Sequence, residues 1–327
     1  MTRALPLLPT TVCGSHALPS WLFLVREAQA VDRLGPTDLQ EAYDDAVRIA
    51  IRDQIETGVD VISDGEMRRT TFIRGFYQRL TGLQALPVPR RLGPLNYDTH
   101  CPYQVVGRVE APSGLGIADD FRFARAHADR PLRMAVPGPM TLLMPLRRGD
   151  PYKSEDALVA DLVAIVNREL RALVEAGCDF IQIDEPNYVM TAGKHRVLRE
   201  GPGPMLETLR AAVDGVRAKL ALHVCFGNAH NNSFAAPRRY APLYPAILDA
   251  PVDQQRRGAV EQAAGERGAV ARRHETEGLT DGDALDVASG DLRRSRHSRE
   301  RVERGQDGAA VGGVGEALER GVEGERE

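Results

Sequence analysis

The chain has 327 residues, 43% of them hydrophobic and 27% charged, which is enough for one large domain or two modest ones. A net charge of −4 gives no reason to expect nucleic acid or an anionic membrane as a partner. No apolar run approaches membrane-spanning length, the Leu5 to Leu8 stretch is too short for a signal-peptide core, and Cys13, Cys101, Cys178 and Cys225 are too scattered for a secreted disulfide framework, so a reducing cytoplasm is expected.

Thr10 to Ser15 is β-prone and meets a glycine at Gly14, so a first short strand is expected there, with Ser15 and backbone amides at its end. Thr37 with Gln40 three residues on has the form of a capping box, and Leu39, Tyr43, Val47, Ala50 and Ile55 recur at helical spacing until Gly58. Val59 to Ser63 is a compact strand, followed by Asp64-Gly65-Glu66. Tyr97 to Pro112 leans towards β structure, as an elaboration or a further strand, and a helix from about Gly116 to His127 follows.

Leu132 to Val136 reads as another strand, closed by Pro137-Gly138-Pro139. Ser154 caps a helix whose apolar stripe is Leu158, Leu162, Val166, Leu170 and Val174. Gly177 closes it, Phe180 to Ile183 is the next strand, and Asp184-Glu185-Pro186 follows. Glu56-x-Gly58-x-Asp60 and Glu175-x-Gly177-x-Asp179 are therefore two copies of one helix-to-strand joint, each leading through a strand to a carboxylate pair. A helix from about Pro204 to Val216 precedes a strand over Lys219 to Val224.

Strands alternating with helices imply parallel pairing through right-handed crossovers. Each strand carries its polar residues at its C-terminal end, which is where a (β/α)8 barrel collects its chemistry. A doubly wound sheet would advertise a glycine-rich phosphate turn after its first strand, and Gly14-Ser15-His16-Ala17 lacks that spacing. A TIM-type (β/α)8 barrel is expected. On the last of these strands His223 and Cys225 stand two residues apart and face the same way. They are either two ligands of a tetrahedral zinc or a core cysteine beside a satisfied histidine.

From Gln255 to Glu327 there is no Phe, Tyr, Trp, Ile, Met, Cys, Lys or Pro. Such a stretch buries too little apolar surface to offset its ordering entropy, so a barrel domain over 1–254 and a disordered tail over 255–327 are expected. The tail is either natural or the product of a shifted reading frame, and the last two strands of the barrel are missing in both cases.

Cys13-Gly14-Ser15, Ser63-Asp64-Gly65-Glu66-Met67-Arg68, Val136-Pro137-Gly138-Pro139-Met140-Thr141, Ile181-Gln182-Ile183-Asp184-Glu185-Pro186 and Leu222-His223-Val224-Cys225-Phe226-Gly227 occur in one order. In that order they resemble the catalytic barrel of cobalamin-independent methionine synthase and its single-domain relatives, over about residues 9 to 254. The resemblance implies zinc-dependent methyl transfer from a methylated pteridine, such as 5-methyltetrahydrofolate, to the thiol of homocysteine. It implies zinc on His223 and Cys225, the amino-acid carboxylate on the turn at Ser15, and the substrate ammonium between Glu66 and Asp184. Without the family, Glu66 and Asp184 could pair with Arg68 or Arg69, Ser15 could cap a helix, and Glu185 could orient a ligand or be a rim charge.

The chain departs from the family pattern at several points. The third zinc ligand, a glutamate about twenty residues beyond the H-x-C pair, has only Pro251-Val252-Asp253-Gln254 near its place, and Glu261 and Glu266 stand in foreign sequence. No cysteine follows Cys225, and His274 and His297 do not match the proton-donating histidine. The pteridine-stacking tryptophan is absent after Met140-Thr141. Two further readings therefore stand beside the first: a zinc-dependent thiol transferase of the epoxyalkane:coenzyme M type, and a non-catalytic remnant. The two acids favour an amino-acid substrate over coenzyme M, which has no ammonium.

Overall fold

The computed structural model describes residues 5–69, 73–87, 102–192, 201–225, 228–229, 232–233 and 240–257. The chain divides into two compact units, Met1–Arg273 and His274–Glu327, and every described residue belongs to the first. In chain order the elements are α1 (Ser20–Ala30), α2 (Pro36–Glu56), α3 (Arg74–Tyr77), β1 (Thr81–Ala85), β2 (Tyr103–Glu110) and α4 (Ile117–His127). There follow β3 (Met134–Pro137), α5 (Pro139–Leu143), β4 (Leu146–Arg147), α6 (Glu155–Glu175), β5 (Phe180–Asp184) and α7 (Asn187–Ala192). The remainder are α8 (Gly203–Val213), β6 (Lys219–Val224), β7 (Asn228–Ala229), β8 (Asn232–Ser233) and β9 (Gln254–Arg257).

The central sheet is parallel, in the order β3-β5-β6-β9. Two isolated parallel bridges, Thr11 with Val61 and Ile62 with Leu132, extend it on the β3 side. The four strands and two bridged segments together fill six of the eight positions of a (β/α)8 barrel, in sequence order, with α-helices between all but the last pair, which short 3-10 turns separate among the described residues. The architecture is that of an incomplete TIM-type barrel. The segments expected as strands at Thr10 to Ser15 and Val59 to Ser63 contribute only these bridges.

β9 crosses the composition break at residue 254: Gln254 to Arg257 pairs with Ala221 to Val224, so the sheet runs past that boundary. Residues 258–327, where the disordered tail is expected, lie outside the described residues, as do Glu261, Glu266, His274 and His297. A separate three-stranded sheet, in the order β1-β2-β4, accounts for the β-leaning segment before Pro112.

The helix starts follow local chemistry. Ser154 Oγ accepts from Ala157 N at 3.2 Å, which caps α6 as expected. For α2 the expected Thr37–Gln40 box does not form. The helix begins at Pro36, whose fixed φ suits a first helical position, and Gly35 N–H donates to Asp38 Oδ2 at 2.7 Å. Thr37 is already inside the first turn.

α6 buries Leu158, Leu162, Val166 and Leu170 completely. Each such side chain contributes about 1.5–3 kcal/mol relative to exposure. The same face carries Glu169, buried against the turn before α4. Its Oε2 accepts from Leu115 N at 2.6 Å, and its Oε1 from Ile117 N at 2.7 Å and Ala118 N at 3.0 Å. A carboxylate on one helix thus satisfies the open amides at the start of another.

Candidate metal and substrate site

The loop after Val61 and Ile62 makes a sharp turn, with Gly65 at φ +69° and Glu66 at φ +57°. A left-handed non-glycine residue is uncommon, and such backbone persists where its surroundings fix it. Here Asp64 Oδ1 accepts from Glu66 N at 3.0 Å, and Gly65 O accepts from His16 N at 3.0 Å, docking the Gly14-Ser15 turn onto the loop. A Cβ at Gly65 would lie 2.6 Å from Ala50 Cβ, so the close approach to α2 needs glycine.

This turn buries Glu66 and aims it at the end of β5. Its Oε2 accepts from Ser15 Oγ at 2.8 Å, and its Oε1 is buried without a hydrogen-bond donor among the described residues. Ser15 therefore serves Glu66 rather than a helix start. Arg69 NH1 stands 3.2 Å from Glu66 Oε2 and 3.7 Å from Asp184 Oδ2, so one guanidinium spans both acids. Arg68 turns away, to Asp44 and to Asp120.

Asp184 and His223 are register partners on β5 and β6, and His223 Nδ1 lies 2.9 Å from Asp184 Oδ1. Gln182, two residues earlier on the same face of β5, donates Nε2 to that oxygen at 2.7 Å, while its Oε1 accepts from the fully buried Arg133. Cys13 and Cys225 stand beside the imidazole and favour its charged form. The sulfur of Cys13 is 3.7 Å from Gln182 Nε2.

The electrostatics follow from this wiring. Burial pushes the Asp184 carboxyl up, but the hydrogen bond and charge of His223, with Arg69 and Gln182, outweigh it and hold the carboxyl below its ordinary value. Burial pushes His223 down, but Asp184, Cys13 and Cys225 hold its imidazole well above the ordinary value. Burial raises Glu66, against the pull of Arg69. Glu185, fully buried, is raised to about 8 by burial, although Thr141 Oγ1 donates to it at 2.8 Å and Met140 N at 3.0 Å.

Of the five residues singled out in the sequence, Ser15, Glu66, Asp184 and His223 form one connected chain of contacts, and Cys225 joins it through His223. Their donor chemistry fits zinc as far as it goes: an imidazole oriented by a carboxylate, with a thiol beside it. Among the described residues, no three His, Cys, Asp or Glu side chains are grouped to hold a metal ion. Asp253, near the expected third ligand, instead accepts from Leu220 N at 2.8 Å. Sequence reasoning missed Cys13 and Gln182 as members of the site. Gln182 carried a signal, the two-residue spacing to Asp184.

Fold and site define a parallel β/α barrel whose strand ends carry a nitrogen and a sulfur donor backed by buried carboxylates. The chain belongs to the family described as the catalytic domain of cobalamin-independent synthase, whose model matches residues 8–233. It is 35% identical over 235 residues to a methionine synthase of Saccharolobus solfataricus, covering 71% of this chain and 66% of the relative. It is also 35% identical to that of Sulfurisphaera tokodaii, covering 68% and 63%. The chain thus spans about two thirds of the length of these relatives.

Among solved structures, it superposes on a B12-independent methionine synthase from Shewanella sp. W3-18-1 in complex with selenomethionine, with a TM-score of 0.60 and 28% identity over 76% of this chain and 72% of the other. A putative vitamin-B12 independent methionine synthase from Listeria monocytogenes shares the fold, with a TM-score of 0.55 and 19% identity over 76% and 73%.

Proposed function

We propose that the chain is built for methyl transfer from a methylated pteridine to the thiol of homocysteine, giving methionine. The observation that carries this reading is Glu66 Oε1, a buried carboxylate oxygen near the Ser15 turn and Asp184 that has no donor among the described residues. A substrate ammonium supplies that donor, and charge-assisted hydrogen bonds of this kind are about twice as strong as neutral ones. In this reading the amino-acid carboxylate lies on the Gly14-Ser15 turn. A thiol lacking an ammonium, such as coenzyme M, leaves Glu66 Oε1 without a partner, which favours homocysteine.

His223 and Cys225 are the residues that hold zinc in this reading, with Asp184 fixing the imidazole so that Nε2 is the ligating nitrogen. The chemistry a zinc ion held there would supply is a lowered thiol pKa, so that the substrate sulfur would be a thiolate at neutral pH. The methyl carbon then leaves the pteridine nitrogen for sulfur: a C–S bond forms, the C–N bond breaks, and the nitrogen keeps the electron pair and takes up a proton. This chemistry belongs to a reducing cytoplasm, where thiols persist.

The test is methionine formation from L-homocysteine and 5-methyltetrahydrofolate by the full chain, with bound zinc measured alongside. Methionine production that is lost in Glu66→Gln is expected. Zinc near one per chain with turnover only of coenzyme M with an epoxyalkane would transfer the reading to the thiol transferases. No metal and no turnover would leave a non-catalytic remnant.

A further inference from the structure

Arg69 is the feature of the site that the family reading does not absorb. It is not a surface charge in passing contact: its side chain is 10% exposed and is fixed on three sides. NH1 faces Glu66 and Asp184, NH2 donates to Ala135 O on β3, and the guanidinium carbon sits 5.4 Å over the ring of Phe76. Neither carboxylate has this cation as its only partner. Asp184 gives Oδ1 to His223 and Gln182 and turns Oδ2 towards Arg69, whereas Glu66 keeps Oε1 open.

Resting on the homocysteine reading, we propose that Arg69 is a specificity-determining positioning residue: a built-in cation, seated between Glu66 and Asp184, that orients Glu66 and keeps it charged, so that the site recognises thiols bearing an ammonium group. Two buried acids that share a site without a cation cannot both stay ionised. A neutral Glu66 carries a proton of its own and no longer offers full charge to an ammonium. The Glu66 carboxyl lies above its ordinary value overall, and Arg69 is the strongest of the groups that favour its charged form. Burial raises its carboxyl, Arg69 lowers it, Asp184 and Asp64 raise it, and the Ser15 hydroxyl lowers it.

The probe is L-methionine, the amine-bearing product, titrated calorimetrically into the full chain between pH 6 and pH 9. The control ligand is 4-(methylthio)butanoate, which lacks only the amine. Arg69→Gln, which keeps a donor for Ala135 O, is expected to bind methionine at least tenfold more weakly at pH 7, with the midpoint of its pH dependence raised by about 1–3 units, the range set by an adjacent opposite charge. Its preference for methionine over the amine-free analogue is expected to shrink by a similar factor. Arg69→Lys, which keeps the charge, is expected to retain the wild-type midpoint, and it is informative even if Arg69→Gln does not fold.

A folded Arg69→Gln with the wild-type midpoint and preference overturns the proposal. So does loss of binding at every pH, or a shifted midpoint in Arg69→Lys. If the wild type itself binds neither ligand, the homocysteine reading fails and the role of Arg69 fails with it. Wild-type binding that Arg69→Gln leaves intact refutes Arg69 alone.

Discussion

Asp184 and His223 lie side by side on adjacent parallel strands, and the carboxylate of the first holds the Nδ1 side of the second at 2.9 Å. Carboxylates in this position fix a metal-binding imidazole in one tautomer. Asp184→Asn is therefore expected to weaken zinc retention by about 10- to 100-fold, the range typical of groups that orient a ligand. Competition against a chromogenic chelator measures it. Unchanged affinity would mean that His223 does not hold the metal through Nε2.

Glu185 gives a pH dependence with a definite sign. Its folded-state value of about 8 is raised above the ordinary 4.5, so its contribution to stability is full below about pH 4.5 and is lost as pH rises through about 8. Denaturant unfolding at pH 5 and pH 9 should show the wild type losing more stability than Glu185→Gln over that interval, by a few kcal/mol. An equal loss in both proteins would show that Glu185 is already ionised at pH 5.

Glu169 closes three backbone amides at and before the start of α4. Glu169→Ala leaves buried N–H groups without an acceptor, and each such group costs about 1–3 kcal/mol. A loss of about 3 kcal/mol or more in the urea unfolding free energy is expected, with Glu169→Gln losing less. A change under about 1 kcal/mol would mean that water replaces the carboxylate.

Gly65→Ala forces a Cβ to within 2.6 Å of Ala50 Cβ and 3.0 Å of His16 Cβ, in a left-handed backbone. The expected result is a folded but weakened protein, less stable by about 2 kcal/mol, in which Glu66 is displaced and methionine binding falls further than stability does. Binding that survives intact would separate the Asp64-Gly65-Glu66 turn from the substrate site.

Much of the framework was legible because periodicity and burial agree. The stripe Leu158, Leu162, Val166, Leu170 names the buried face of α6, and the short runs Phe180 to Ile183 and Lys219 to Val224 are strands within a residue of their expected limits. The two-residue alternation along β5 and β6 put Asp184 and His223 within reach of each other once parallel pairing was assumed.

What stayed hidden depends on partners distant in sequence. Arg69 spans Glu66 and Asp184, 118 positions apart, and nothing local distinguishes it from Arg68, which turns the other way. Glu169 reads as a polar break in an apolar face until the turn before α4 is folded onto it. The capping pair of α2 was misassigned because Gly35 and Asp38 fill the capping role just before Thr37 and Gln40. β9 was passed over because Gln254 to Arg257 has no apolar residue, so neither alternation nor an apolar run marks it as a strand.

Gly138 begins the turn into α5, and a Cβ there would sit 2.1 Å from Glu185 Oε1. The two positions are consequently bound in evolution: a relative that carries any side chain at the first must shorten or reorient the residue at the second. An alignment of many homologues should show them varying together, and a lineage with both a bulky residue at 138 and glutamate at 185 would have to have rebuilt the mouth of its barrel.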